Sequence, residues 1–245
     1  MHTVTDSLRQ RFAPTGVLKA AINLGNPILA NWDEAGKRPY GISVDMANEL
    51  ARRLGLPVEY VVYPAAGKSV AGVAADEARV GFFALDPVRG QEIAFTNPYV
   101  LIEGCYLVRD ESPLQVNDEV DSASHRVVVG KGSAYDLYLT RELKHAQIER
   151  SATSPGVVDH FMATGSEVAA GVKQQLESDA RRLGGLRLLP GRFMVIEQSM
   201  GMARSADPDC VAFLTDFVED CKRSGLVTQA MQKHGIEGAS VAPLR

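Results

Sequence analysis

The stretch 41–63, GISVDMANELARRLGLPVEYVVY, decides the fold class. Met46, Ala47, Leu50, Ala51 and Leu54 recur at helical spacing, so a helix over Val44–Leu54 carries one apolar stripe. Ser43 stands at the N-cap position, and Gly55 with Pro57 ends the run. Val58–Tyr63 is β-branched and aromatic, which predicts a strand. Upstream, Val17–Asn23 (VLKAAIN) predicts a first buried strand. Downstream, a second helix falls near Lys68–Glu77 and a third strand over Arg79–Leu85. Strand, helix, strand, helix, strand argues for an α/β sheet with crossover helices.

A second set follows. Arg126–Val129, Gln147–Ser151, Val168–Val172 and Leu186–Leu189 predict strands; Ala134–Leu143 and Pro155–Ala163 predict helices. Ser133 and Asp136 form a variant of the capping box before the first of these helices. Near the end of the sequence, Asp209–Ser224 is the clearest helix: Val211, Leu214, Phe217, Val218 and Cys221 make its core stripe and Gly225 closes it. Two extended apolar stretches, Tyr99–Val108 and Phe193–Ala203, read as strands crossing between two lobes. Lobe 1 is then residues 1–103 with 200–245, and lobe 2 is residues 104–199. Two crossings make a hinge, and ligand pockets favour such lobe junctions.

Composition removes several function classes. The 245 residues are 45% hydrophobic and 23% charged, which excludes a disordered chain. A net charge of −4 without a basic block argues against nucleic acid. Cys105, Cys210 and Cys221 form neither a disulfide framework nor a CxxC pair, and Cys210 and Cys221 read as small core hydrophobes. His2, His125, His145, His160 and His234 lie far apart without metal-ligand spacing, so no metal or other cofactor is expected. No apolar run spans a membrane. The opening MHTVTDSLRQRFAPTG lacks a signal h-region, so the chain as written reads as cytoplasmic, or as periplasmic with a leader removed. A monomer or weak dimer is expected.

GVLKAAIN, GISVDMANELARRLG and ALDPVRGQEIAFTNPY together resemble the family 3 solute-binding proteins, the amino-acid-binding components of ABC importers, with the two-lobed type 2 periplasmic-binding fold. Gly41, Asp45, Leu50, Gly55, Pro87, Arg89, Phe95, Thr96, Pro98 and Tyr99 carry the likeness in lobe 1; VVVGKGSAYDLYL and the segment from QSMGMARS onward carry it elsewhere. The resemblance implies a non-enzymatic protein that closes around a small carboxylate-bearing solute, with an ABC permease as partner. The same fold hosts cyclohexadienyl dehydratase-like lyases, which is the alternative, with Glu197 or Asp86 as the acid.

Within that resemblance Arg89 takes the ligand carboxylate, as a planar guanidinium does through two parallel hydrogen bonds. Ser133 serves the same carboxylate, with the amides of GKGS at a helix start favouring an anion. Ala84 offers backbone groups only. Asp86 accepts from a ligand amine or orients Arg89. Asn26 stands where relatives carry an aromatic lid, and Lys68 opens the second helix near the expected cleft. The family's ammonium-binding Asp is replaced, in the best register, by Lys173 with Gln174 beside it. A cation there repels an ammonium, so Arg89 with Lys173 suits a doubly acidic ligand or an acid without a free amine, unless Lys173 points to solvent. Glu197 and Gln198 on the second crossing strand are further candidates, Glu197 as a substitute amine partner.

Overall fold

The computed structural model describes residues 4–245, divided into two units: residues up to Leu101 with Glu197–Arg245 form unit 1, and Ile102–Ile196 form unit 2. His2 lies outside the described residues.

Unit 1 begins with α1 (Asp6–Phe12), β1 (Leu18–Asn23), a short hairpin of β2 (Asn31–Asp33) and β3 (Arg38–Tyr40), α2 (Ile42–Leu54), β4 (Val58–Tyr63), α3 (Ala66–Ala74), β5 (Gly81–Ala84) and the long β6 (Ile93–Arg109). β1 pairs in parallel with β4 along its whole length, and a parallel bridge from Ala20 to Val80 brings in the chain leading to β5. The three strands therefore end on one side. The α2 stripe is buried as its spacing predicts, and Gly55 ends the helix in the left-handed region, its amide donating to Ala51 and Arg52. The N-cap differs from expectation: Gly41 takes the place given to Ser43, which lies buried inside the first turn. Gly41 has φ 128°, and a Cβ there would approach the Leu29 carbonyl oxygen to 2.5 Å, so only glycine fits.

Unit 2 continues with β7 (Arg126–Gly130), α4 (Ala134–Glu142), β8 (Gln147–Ser151), α5 (Val157–Thr164), β9 (Val168–Val172), α6 (Lys173–Leu183) and β10 (Leu186–Leu188). Its sheet runs β6-β9-β7-β8, with β6 antiparallel to β9, β7 parallel to both β9 and β8, and β10 on the far end of β6. β11 (Met194–Ala203) leads back into unit 1, where it pairs antiparallel with β5, followed by α7 (Pro208–Arg223), α8 (Leu226–Lys233) and β12 (Ser240–Val241). β6 and β11 are the two stretches read as crossing strands, and each contains a unit boundary.

Each unit has its own core. Ala21, Val70, Val73, Ala78, Phe83 and Ile93 cluster in unit 1; Cys105, Leu107, Val128, Val157, Val158, Phe161, Ala169 and Leu176 cluster in unit 2. Cys210 and Cys221 are buried on α7, as its stripe requires. Burial raises all three thiol pKa values, Cys105 to about 11 and Cys221 to about 12.

Candidate functional site

In unit 1 the chemistry gathers where β5 ends. Asp86 organises the turn: its Oδ1 accepts from the Val88 amide at 2.8 Å and its carbonyl accepts from the Gly90 amide at 2.9 Å. That turn leads into a 3-10 turn, Arg89–Gln91, and folds Arg89 back so that Nη1 donates to the Ala84 carbonyl at 3.2 Å. Arg89 is 5% exposed and Asp86 7%. Burial pushes the Arg89 pKa down to about 10, and the neighbouring Asp86 charge only partly opposes the shift.

β11 lies beside this strand end. Gln198 pairs with Ala84, and the Leu85 amide donates to the Glu197 carbonyl at 2.8 Å. Five expected site residues (Ala84, Asp86, Arg89, Glu197 and Gln198) thus share two neighbouring segments of unit 1. They differ in character. Gln198 is buried, whereas the Glu197 carboxylate accepts from the Arg245 guanidinium at 3.1 Å. Asn26 follows β1, and its Oδ1 accepts from the Ile28 amide at 3.2 Å, so its side chain shapes a turn. Lys68 is exposed on α3, after β4. Both follow strands that end on the same side as β5.

In unit 2 Ser133 is the N-cap of α4, with Oγ accepting from the Asp136 amide at 3.0 Å. The amides expected to await an outside anion are partly engaged: Gly132 donates to Asp136 Oδ2 at 2.8 Å and Ser133 donates to the Gly130 carbonyl at 3.0 Å. The chain thus brings its own carboxylate to this helix start. Asp136 is buried and accepts from Arg150 Nε at 3.0 and 3.2 Å. The first two amides of the helix proper, those of Ala134 and Tyr135, have no intrahelical acceptor and keep the positive end of the dipole.

Lys173 is the first residue of α6, directly after β9, and Gln174 follows it. Its ammonium donates to Glu103 Oε2 at 3.0 Å, and Arg192 donates to Glu103 Oε1 at 2.7 Å. The cation that weighed against an ammonium-bearing ligand is therefore matched by a carboxylate within unit 2. Glu103, Arg192 and Arg150 went unnoticed as partners in the sequence, and Asp136 was read only as a cap residue. Glu103 did leave a signal, as an acid in the otherwise apolar run YVLIEGCYLV. Among the described residues, no three His, Cys, Asp or Glu side chains are placed to hold a metal.

Two α/β units joined by two strands, with a buried arginine at a strand end, define a type 2 periplasmic-binding-protein fold. The chain belongs to the bacterial extracellular solute-binding proteins, family 3, whose profile matches residues 18–237. No curated protein sequence matches it. Among solved structures, the solute receptor for L-cysteine of Neisseria gonorrhoeae aligns with a TM-score of 0.81 at 18% identity, covering 96% of this chain and 99% of that one. A mutant of ArgBP from T. maritima aligns at 0.78 and 18% identity, covering 94% and 100%. A histidine kinase sensor domain with similarity to periplasmic binding proteins aligns at 0.80 and 16% identity, covering 92% and 98%. At these identities the likeness speaks for the fold. Among the described residues no helix is long and apolar enough to cross a membrane.

Proposed function

We propose that the protein binds a small carboxylate-bearing solute, an amino acid or a related organic acid, through Arg89, without turning it over. The observation that carries this is a guanidinium 5% exposed at the end of β5, in a chain of a solute-binding family. A carboxylate matches the fork geometry of a guanidinium through two parallel charge-assisted hydrogen bonds. Within unit 2, the start of α4 capped by Ser133 offers a separate, weaker attraction for an anion. Hinge motion at the two crossing strands and delivery to an ABC permease belong to the same proposal.

The test is isothermal titration calorimetry and thermal shift against amino acids, dicarboxylates and aromatic keto acids. At least one acid binds, mass spectrometry finds it unchanged, and Arg89→Ala abolishes the heat. Unaltered affinity in Arg89→Ala rejects the assignment, and a converted ligand rejects the non-enzymatic reading.

A further inference from the structure

Both crossing strands meet one short segment, residues 240–245, which lies beyond the residues 18–237 that the family profile matches. Ser240 pairs with Leu101 and Val241 with Val100 on β6, and the Ala242 amide donates to the Tyr99 carbonyl at 3.0 Å. The Arg245 guanidinium donates to Glu197 Oε1 on β11 at 3.1 Å. Leu101 is the last residue of unit 1 on the first crossing strand, and Glu197 is the first on the second. The segment therefore reaches each strand at the residue where unit 1 meets its boundary. Between those points it is anchored: the Lys222 ammonium donates to the Pro243 carbonyl at 2.8 Å, and the Arg245 amide donates to Glu219 at 3.1 Å. All of these contacts lie within unit 1. Inside unit 2 the same two strands are tied separately. Arg192 donates to Glu103 at 2.7 Å, and the Phe193 amide donates to the Gly104 carbonyl at 2.9 Å.

We propose that residues 240–245 are a hinge strap: they hold the two crossing strands on the unit 1 side of the boundary and confine bending to Ile102 on β6 and residues 194–196 on β11. Hinges work through a few residues at the ends of otherwise rigid elements. Backbone pairing fixes β6 up to Leu101, and the buried Lys222 and Glu219 hold the segment that does so. The grip on β11 is the weaker one, since the Arg245 and Glu197 side chains are 54% and 37% exposed. A strapped strand frays less, so fewer conformations are given up when a solute is enclosed, and affinity rises through preorganisation. The effect on affinity rests on the solute-binding reading of the protein; the effect on the strands does not.

The experiment is native-state hydrogen exchange, read by mass spectrometry, on the full chain, on a chain lacking residues 240–245 and on Arg245→Ala. In the shortened chain, peptides covering residues 97–104 and 193–201 are expected to exchange roughly tenfold faster than in the full chain, through local opening. β1 and β4 in unit 1 speed up less, and β7 and β8 in unit 2 not at all. Equal acceleration of β1, β4 and the crossing strands overturns the strap, since the segment would then only stabilise unit 1 as a whole. Arg245→Ala keeps β12 and the Lys222 anchor and so stays folded even if the shortened chain does not. It is expected to speed exchange about two- to fivefold around Glu197 and to leave residues 99–101 unchanged. No change around Glu197 overturns the grip on the second strand. The acid that binds best in the calorimetric panel is expected to bind the shortened chain about tenfold more weakly. Loosened strands with unchanged affinity overturn the link to binding. If no acid binds any of the three proteins, the solute-binding reading falls, and the exchange pattern still decides the strap.

Discussion

The Arg89 guanidinium carries a charge that its surroundings penalise, since burial lowers its pKa and Asp86 compensates only in part. On the proposed reading, such a charge is a stability cost retained for binding. Replacing it with an apolar side chain of similar length tests that view. In Arg89→Met the bond to the Ala84 carbonyl is lost and Asp86 loses the cation beside it, while the desolvation cost of the guanidinium disappears. The losses and the gain oppose one another, so the unliganded variant is expected to stay within about 2 kcal/mol of the parent while binding no acid. A drop in stability of more than about 2 kcal/mol would show Arg89 to be a structural brace instead. Arg89 is singled out in the sequence through the family resemblance; Pro87 after an apolar strand marks only a turn, where an arginine is ordinarily solvated, and the burial of Arg89 comes from the fold. The pairing of Lys173 with Glu103 was not legible: it depends on the register that sets Gly104 opposite Val172, across 70 residues of chain. The bond from Gly132 to Asp136 is local, yet the sequence shows only that Asp136 completes a cap; where its carboxylate points is set by Arg150 and Thr140.

At the scale of elements, α2 shows how a helix is fastened. Glu49 accepts from Arg52 and Arg53, and Arg53 reaches Asp220 on α7 at 3.3 Å while its guanidinium lies 5.0 Å over the Phe217 ring. The Arg52 bond, with help from Arg53, holds the Glu49 pKa near about 2. The folded value lies below the ordinary 4.5, so the stabilisation is complete above that pH and is lost as pH falls through about 2. Glu49→Gln is expected to cost about 1 kcal/mol at pH 7, after allowance for the exposed Arg52, and nothing near pH 2. Urea melts at both pH values check this; an equal loss at each would mean packing, not charge, is responsible. Elements with strong local patterns matched their predicted places: Val58–Tyr63 and Val168–Val172 coincide with β4 and β9, and the weakly patterned Gln147–Ser151 coincides with β8. Other weakly patterned ones escaped. β2 and β3 are three residues each, too short for alternation to register. In α6 the sequence KQQLESDARRL offers only Leu176, Ala180 and Leu183 as a stripe, and charged residues dominate the rest.

Over the whole molecule, the two cores give two folding units, and their stabilities are expected to separate. Residues 240–245 matter for only one of them. Ser240 and Val241 pair with Leu101 and Val100 on β6. Lys222, with its side chain 1% exposed, binds Glu219 at 2.7 Å and the Pro243 carbonyl at 2.8 Å, while Glu219 also accepts from Asn97 and the Arg245 amide. Removing one member strands the others, so Lys222→Met is expected to destabilise unit 1 by about 2–4 kcal/mol. Trp32, the single tryptophan, lies in unit 1, so its fluorescence follows that unit, whereas far-ultraviolet circular dichroism follows both. The fluorescence melt should shift down while a second dichroism transition stays in place. A single transition moving as a whole would show that the units unfold together.

The buried cysteines have a practical consequence. Their thiols are shielded, and burial raises the pKa of each, so maleimide dyes find little thiolate to attack at neutral pH. A cysteine placed on the exposed face of α3, at Ala71, would then be the one reactive handle without removal of any native sulfur. An environment-sensitive fluorophore attached there would turn the protein into an optical reporter of whatever solute it recognises.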